Sequence, residues 1–372
     1  MRIAILSLTD PDGPGTGATL RVRAFADNLE ALGHEVFRVF PPTRATGEAP
    51  APAGVGESLG ERSMPGWLRG LKRELLPMPT SLGARNADLN DAVKALLPLD
   101  ILVITALSQV GYARLARGAA RWMDFMDLWS NFGPAEVRRR RGLARVTTRL
   151  QIAHLRRLET RVASRADVVT VAGWQDVEAL RARGCRAHWQ PTTLPDQVFA
   201  TTLSGPRPRV AGMFADFRYW PNVDAYETLV NVWAPRLHAA GWGCVVAGIG
   251  SDDLPAHPLV ERIGRVAEVA DFYNLVGATV APLSLGGGMK VKVVESLGHG
   301  IPVLASDSAV EGLPRSVADL VMTTDLEDPD IRLLERLLDP VITRDALRPY
   351  MSSSLHENLF RLTRSFREQK SS

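Results

Sequence analysis

The chain has 372 residues, 45% of them apolar and 23% charged, with a formal net charge of +3 and two cysteines, Cys185 and Cys244. Such a length suits two domains better than one, the apolar share argues against wholesale disorder, and two isolated cysteines argue against a disulfide scaffold or a cysteine-rich zinc site. No run approaches the roughly 20 apolar residues of a membrane-crossing helix, and a cytoplasmic protein is expected.

The opening "RIAILSL" reads as a buried strand, not a signal peptide, because its apolar run soon meets Asp10 and Asp12. The glycine-rich "DGPGTGAT" follows. A helix with Leu20, Phe25, Leu29 and Leu32 on one face comes next, stopped by Gly33 before the strand "HEVFRVF". This is a βαβ unit. The stretch 46–85 is proline-broken and reads as loops around one short amphipathic helix. Further strands are predicted at "DILVITAL" from Asp100, "ARWMDFMD" from Ala120 and "DVVTVAG" from Asp167. Between the last two lies an arginine-rich helix, expected to turn Leu143, Val146, Leu150, Ala153, Leu158 and Val162 inward and most of its arginines outward.

Gly205, Pro206 and Pro208 break both periodicities and mark a linker. The pattern then restarts, with strands at "RVAGMFA", "GCVVAG", "VERIGRV", "GATVAPL" and "IPVLAS". Helices are expected at about 222–240, 266–276 and 289–298. The predicted class is α/β: two doubly wound, Rossmann-like domains facing each other across a cleft, 1–204 and 205–350, with a helix in 351–372 crossing back to the first.

Open parallel sheets bind ligands at strand carboxyl ends and helix N-termini. Two loops fit. Gly15, Thr16 and Gly17 precede the first helix without the spacing of a dinucleotide fingerprint or a P-loop. Gly286, Gly287 and Gly288 lead into a helix carrying Lys290, Lys292 and Glu295. There, free amides and two lysines suit a diphosphate, and the carboxylate suits sugar hydroxyls. Lysines two apart do not share a helix face, so one of the two is expected to reach the phosphates.

With "FADFRYWPNVDAYETLVNVWAPRL", "VVAGIG", "GRVAEVADFYNLVGATVAPLSLGGGMKVKVVESLGHGIPVLASDSAVEGLP" and the N-terminal "GTGATLRVRAFADNLEALGHEV", the chain resembles a family 4 glycosyltransferase of GT-B fold, in its "GGG-x-K-x-K-x-x-E" subgroup. The resemblance runs over nearly the whole chain. It implies retaining transfer of a sugar from a nucleotide diphosphate sugar, UDP- or GDP-linked, to a hydroxyl acceptor such as a lipid-linked sugar, a glycan or a small metabolite. Neither a divalent metal nor a separate cofactor is implied. It further implies that the C-terminal domain holds the nucleotide, with Glu295 on the ribose and Lys290 and Lys292 near the diphosphate. Gly264 and Val266 are assigned to base and sugar selection. Arg218 and Lys290 are expected to stabilise the departing diphosphate, and Asp127, in "DFMDLWS", to lie near the reacting sugar or acceptor.

Two departures stand out. The residue eight before Glu295, often a glutamate in this family, is Gly287. The histidine often found after the strand matching "ILVITALSQV" is missing from Thr105, Ala106, Leu107, Ser108 and Gln109. A nucleotide-sugar epimerase of the same architecture and a non-catalytic nucleotide-sugar-binding subunit therefore stay open. Asp124 and Asp127 can face the cleft from the end of their strand, though three residues apart they need not point together; Asp127 or Ser130 can cap the next helix, and Asn222 can cap the helix after Pro221. Ten arginines stand against the single acid Glu159 between Arg138 and Arg165. That run suits an ordinary solvated face or, with "GWLRGLKRELL" from Gly66, peripheral contact with the inner face of a membrane. No aromatic interleaving supports nucleic acid binding. A monomer or a homodimer is expected.

Overall fold

The computed structural model describes residues 1–8, 10–11, 13, 17–41, 87–131, 137, 140–200, 207–284, 288–336 and 340–370. The chain forms two compact units. Met1–Thr193 and Ser352–Ser372 make unit 1, and Leu194–Met351 makes unit 2.

Unit 1 holds a six-stranded parallel sheet of β1 (Arg2–Leu6), β2 (Glu35–Val39), β3 (Ile101–Ile104), β4 (Ala120–Phe125), β5 (Val168–Val171) and β6 (His188–Trp189), in the order β2-β1-β3-β4-β5-β6. Helices cover both faces, so β3 and β5 are buried at every position. One face packs on α1 (Gly17–Ala31), where Val22, Phe25, Ala26 and Leu29 meet Ile3, Ile5, Ile101, Val103 and Trp122. Leu355, Leu359 and Phe366 complete this cluster. The other face takes α2 (Ala87–Ala95) through Leu89 and Val93.

Two expectations fail in this unit. In α3 (Gly142–Ala163) the buried residues are Thr148, Gln151, Leu155, Glu159 and Ala163; of the six expected inside, Val162 packs half-buried on the core, while Leu143, Val146 and Leu150 are exposed. The inward face is polar because its groups are tied off: the Ser130 hydroxyl and backbone amide both donate to the Glu159 carboxylate, and Arg183 Nη1 donates to it at 3.1 Å. Ser130 therefore anchors Glu159, and burial nevertheless pushes that carboxyl above its ordinary range. The second failure is Asp124. Its carboxylate lies inside the sheet–helix layer, gripped by Arg21 of α1 through Nε at 2.7 Å and Nη2 at 2.6 Å, with the Thr170 hydroxyl also donating to it. Arg21 and Asp124 are each 1% exposed. Arg21 Nη1 reaches Gln190 O at 2.7 Å, and Asn358 Nδ2 donates to Gln190 Oε1, so one polar thread joins α1, β4, β5 and the stretch after β6.

The predicted break at 204/205 lies later than the observed one. Leu194 N–H donates to Tyr350 O, Leu194 bridges Met351, and the turn Asp196–Phe199 lies against Gly298, where a Cβ would meet Val198 and Phe199. These contacts draw residues 194–200 into unit 2.

Unit 2 repeats the plan with β7 (Val210–Phe214), β8 (Gly243–Ala247), β9 (Glu261–Gly264), β10 (Ala278–Ala281), β11 (Val303–Ala305) and β12 (Met322–Thr323), all parallel and ordered β12-β11-β10-β7-β8-β9. After β7, α5 (Trp220–Thr228) runs through a π-helical turn at Leu229–Trp233 into Ala234–Ala239; α4 (Trp174–Ala182) belongs to unit 1. Helix α6 (Val269–Leu275) starts at a reciprocal capping box between Glu268 and Asp271, later than the predicted 266, because that pair satisfies the first free amides. Helix α7 is Val291–Gly298, α8 is Pro340–Leu347 and α9 is Ser352–Lys370.

Candidate functional site

In each sheet the chain winds outward from its first strand in one direction and then returns to that strand's other side. In unit 2 the first connections run β7 to β8 to β9, and β10 then pairs on the opposite flank of β7. The loops leaving β7 and β10 thus diverge at a topological switch point, where an open parallel sheet leaves a crevice.

The first loop carries Arg218. Its guanidinium is forked onto Asp216, Nε to Oδ1 at 2.9 Å and Nη2 to Oδ2 at 2.6 Å, an arrangement that holds the guanidinium pKa above its ordinary value. The loop is clamped from the β8 side. Gly248 has φ +121°, and a Cβ there would stand 2.1 Å from Ala215 O. Asn222 is not the helix cap, a place taken by Tyr219; it lies in the first turn of α5, with Nδ2 donating to Asp216 O at 2.7 Å.

The second loop leads to α7. Gly286 and Gly287 lie outside the described residues. Gly288 is described, with φ +55°, and Gly312 packs so tightly beneath it that a Cβ on Gly312 would come within 2.1 Å of Gly288 O. Ser284 donates to the Asp224 carboxylate, tying this loop to α5. Lys290 caps α7, its carbonyl accepting from Val293 N at 3.0 Å.

Lys292 and Glu295 leave α7 with opposite charges but separate partners. Lys292 Nζ donates to Asn222 Oδ1 at 2.7 Å. Burial, with the neighbouring Lys290 charge, lowers its pKa to about 7. Glu295 Oε2 accepts from the Tyr273 hydroxyl at 3.2 Å. Burial raises its carboxyl to about 7, and the Tyr273 hydrogen bond opposes that rise. Tyr273 is itself stacked on His299, the residue closing α7, with ring centroids 4.3 Å apart. A continuous chain of contacts therefore runs Arg218–Asp216–Asn222–Lys292. Tyr273→Phe is expected to move the Glu295 midpoint further upward, since the lost donor favours the carboxylate; carboxyl NMR titration reads it, and a downward or null shift would contradict the assignment.

The other expected site residues fall elsewhere. Gly264 ends β9 with φ +82°, and its bare Cα accommodates the Asp252 carboxylate, 2.7 Å from where a Cβ would stand. Val266 packs on the cluster of Val245, Phe272 and Ile301. In unit 1 the switch point lies between β1 and β3, where Gln109 Nε2 donates to Ser7 O at 2.7 Å. Gly17 opens α1 there, whereas Gly15 and Thr16 lie outside the described residues. Asp127 is exposed just after β4, close enough to reinforce the burial that raises the Asp176 carboxyl to about 7. Sequence reasoning did not identify Asp216 or Tyr273, nor Asn222 as a partner of Lys292. An acid two residues before an arginine was the one available signal, and no spacing links 273 to 295. Among the described residues, no group of three or more His, Cys, Asp or Glu could hold a metal ion. Among them too, no helix is long and apolar enough to cross a membrane.

Residues 208–335 match the family "Glycosyl transferases group 1". No curated protein matches the chain. Among solved structures, sucrose-phosphate synthase from Thermosynechococcus elongatus superposes with a TM-score of 0.68 at 15% identity, covering 99% of both chains. Anabaena HepE in complex with UDP gives 0.61 at 12% identity, covering 98% of this chain and 100% of that one. A glycosyltransferase from Rickettsia africae gives 0.60 at 10%, with 98% of each covered. The two parallel-sheet α/β units are those of the GT-B glycosyltransferase fold, and residues 208–335 carry its group 1 glycosyl transferase match.

Proposed function

We propose that the protein is a retaining glycosyltransferase that moves a sugar from a nucleotide diphosphate sugar, UDP- or GDP-linked, to a hydroxyl acceptor. The observation that carries this reading is the placement of Lys290, Lys292 and Glu295 at the entry and along α7, which follows β10 at the β7/β10 switch point, with Lys292 joined to α5 through Asn222. Anabaena HepE, of the same fold, is known in complex with UDP and with UDP-glucose. Glu295 accepts from nucleoside hydroxyls, and the lysines with the amides entering α7 receive the diphosphate. The acceptor hydroxyl attacks from the face the leaving group departs, and the departing phosphate oxygen takes its proton. Protein cations stabilise the diphosphate as its charge develops, without a divalent metal. Lys290, at the entry of α7, is the cation assigned to the diphosphate charge that develops as the bond to the sugar breaks.

Calorimetry with UDP and GDP tests the site. Glu295→Ala is expected to weaken binding by about 1.5–3 kcal/mol, the worth of a charge-assisted hydrogen bond; unchanged affinity in a folded variant removes the assignment. Lys290→Ala is expected to lower kcat more than donor affinity. NMR of the anomeric linkage formed in excess chelator tests the reaction. Inversion would overturn retention, and metal-restorable loss of activity would overturn metal independence. Sugar isomerisation without acceptor would mark an epimerase, and nucleotide binding with neither reaction a binding subunit.

A further inference from the structure

The outward face of α3 has a composition that a surface in contact only with water does not require. Leu143, Val146 and Leu150 are 67%, 51% and 66% exposed, and their spacing places them in one stripe along the helix. Arg145, Arg149 and Arg156 run beside that stripe, and Arg157 and Arg161 continue it toward the carboxyl end, all five exposed. The helix's one acid, Glu159, is fully buried and turned into unit 1, where Ser130 and Arg183 hold it. The outward face of this 22-residue helix, about 33 Å long, therefore presents apolar side chains and arginines with no carboxylate.

We propose that this face is a docking surface for an anionic lipid bilayer. Leucine and valine enter the boundary between headgroups and acyl chains, while the arginine stems lie along them and the guanidinium groups engage lipid phosphates. Charge selects this occupant over the alternatives. A second copy would set arginine against arginine with no acid between them, and nucleic acid would engage the arginines while leaving the apolar stripe in water. The inference concerns unit 1 alone and is independent of the donor-site reading.

Flotation of the full chain with phosphatidylcholine vesicles, with and without phosphatidylglycerol, tests it. Binding is expected only to the phosphatidylglycerol-containing vesicles and should weaken as salt rises. Each arginine contributes about fivefold, so a variant with Arg145, Arg149 and Arg156 all changed to Gln should bind on the order of a hundredfold less. A Leu143→Gln/Leu150→Gln variant, with every arginine intact, should also lose at least tenfold. Both substitutions are at exposed positions, and unchanged melting would show that the fold is retained. Absence of binding to anionic vesicles would overturn the proposal. So would full vesicle binding by the leucine variant, which would leave a nonspecific cationic patch; so would equally tight binding of a short DNA duplex abolished by the arginine variant alone, or dimerisation of the full chain abolished by the leucine variant.

Discussion

Asp124→Ala is expected to destabilise unit 1 by about 3–5 kcal/mol, the cost of leaving one member of a buried ion pair without its partner. Arg21 would retain its charge in a layer where it is 1% exposed, and its remaining contacts, Gln190 O at 2.7 Å and the Phe25 ring at 4.9 Å, do not neutralise it. Arg21→Ala should cost a similar amount, with Asp124 then relying on Thr170. The double change Arg21→Met/Asp124→Leu should be milder than either single one, because it removes both desolvated charges together. Urea unfolding, with hydrogen exchange at β4 and β5 reporting on unit 1, measures all three. Single variants within about 1 kcal/mol of the parent would show that the pair is solvated.

Donor affinity is expected to peak near pH 7 and to fall on both sides. Glu295 has its midpoint raised to about 7, so below that pH it is protonated and gives up its charge-assisted bonds to the donor. Lys292 has its midpoint lowered to about 7, so above that pH it offers the diphosphate no charge. Glu295→Gln should flatten the acid limb and Lys292→Met the alkaline limb, each read by calorimetry across the range. A parent profile flat through neutrality would contradict both assignments. The same shifts govern stability. The folded chain keeps the Glu295 proton that the unfolded chain releases, so this group's contribution falls as pH rises from its ordinary 4.5 to about 7. The folded chain sheds the Lys292 proton at about 7 while the unfolded chain keeps it to its ordinary 10.5, so stability recovers above neutrality. Each contributes about 1–3 kcal/mol after allowance for partial exposure. The thermal shift on donor binding should therefore also be greatest near pH 7.

Much of this site was legible because it is local. A glycine run ahead of a short helix with charges at fixed positions announces itself within about a dozen residues, and repeated strand–helix alternation announces two parallel sheets. Long-range pairing was not legible. Arg21 and Asp124 are 103 positions apart, and an acid inside the otherwise apolar "ARWMDF" indicates that a cation must exist without saying which. The misreading of α3 has another cause. Periodicity shows that a helix has an apolar stripe but not which way the stripe faces, and here satisfied polar groups occupy the inside. At Lys292 the charge was visible, but Asn222, which holds it from 70 positions away, comes into reach only through the path of the loop after β7.

The ordering of the two units along the chain has a consequence for biosynthesis. Unit 2 is one uninterrupted stretch whose two ends lie side by side at Leu194 and Met351, so every residue of its sheet is synthesised, and leaves the ribosome, ahead of α9. Unit 1 begins first but lacks Leu355, Leu359 and Phe366, which cover Ile3, Ile5 and Trp122, until translation has passed residue 366. On the ribosome the usual order, in which the amino-terminal domain folds first, is therefore reversed: the inserted unit matures while the earlier one waits with an apolar sheet face uncovered. With a linker added at the carboxyl end, a nascent chain stalled with Met351 outside the ribosome and α9 still inside should recruit chaperones through unit 1, and one stalled with α9 outside should release them.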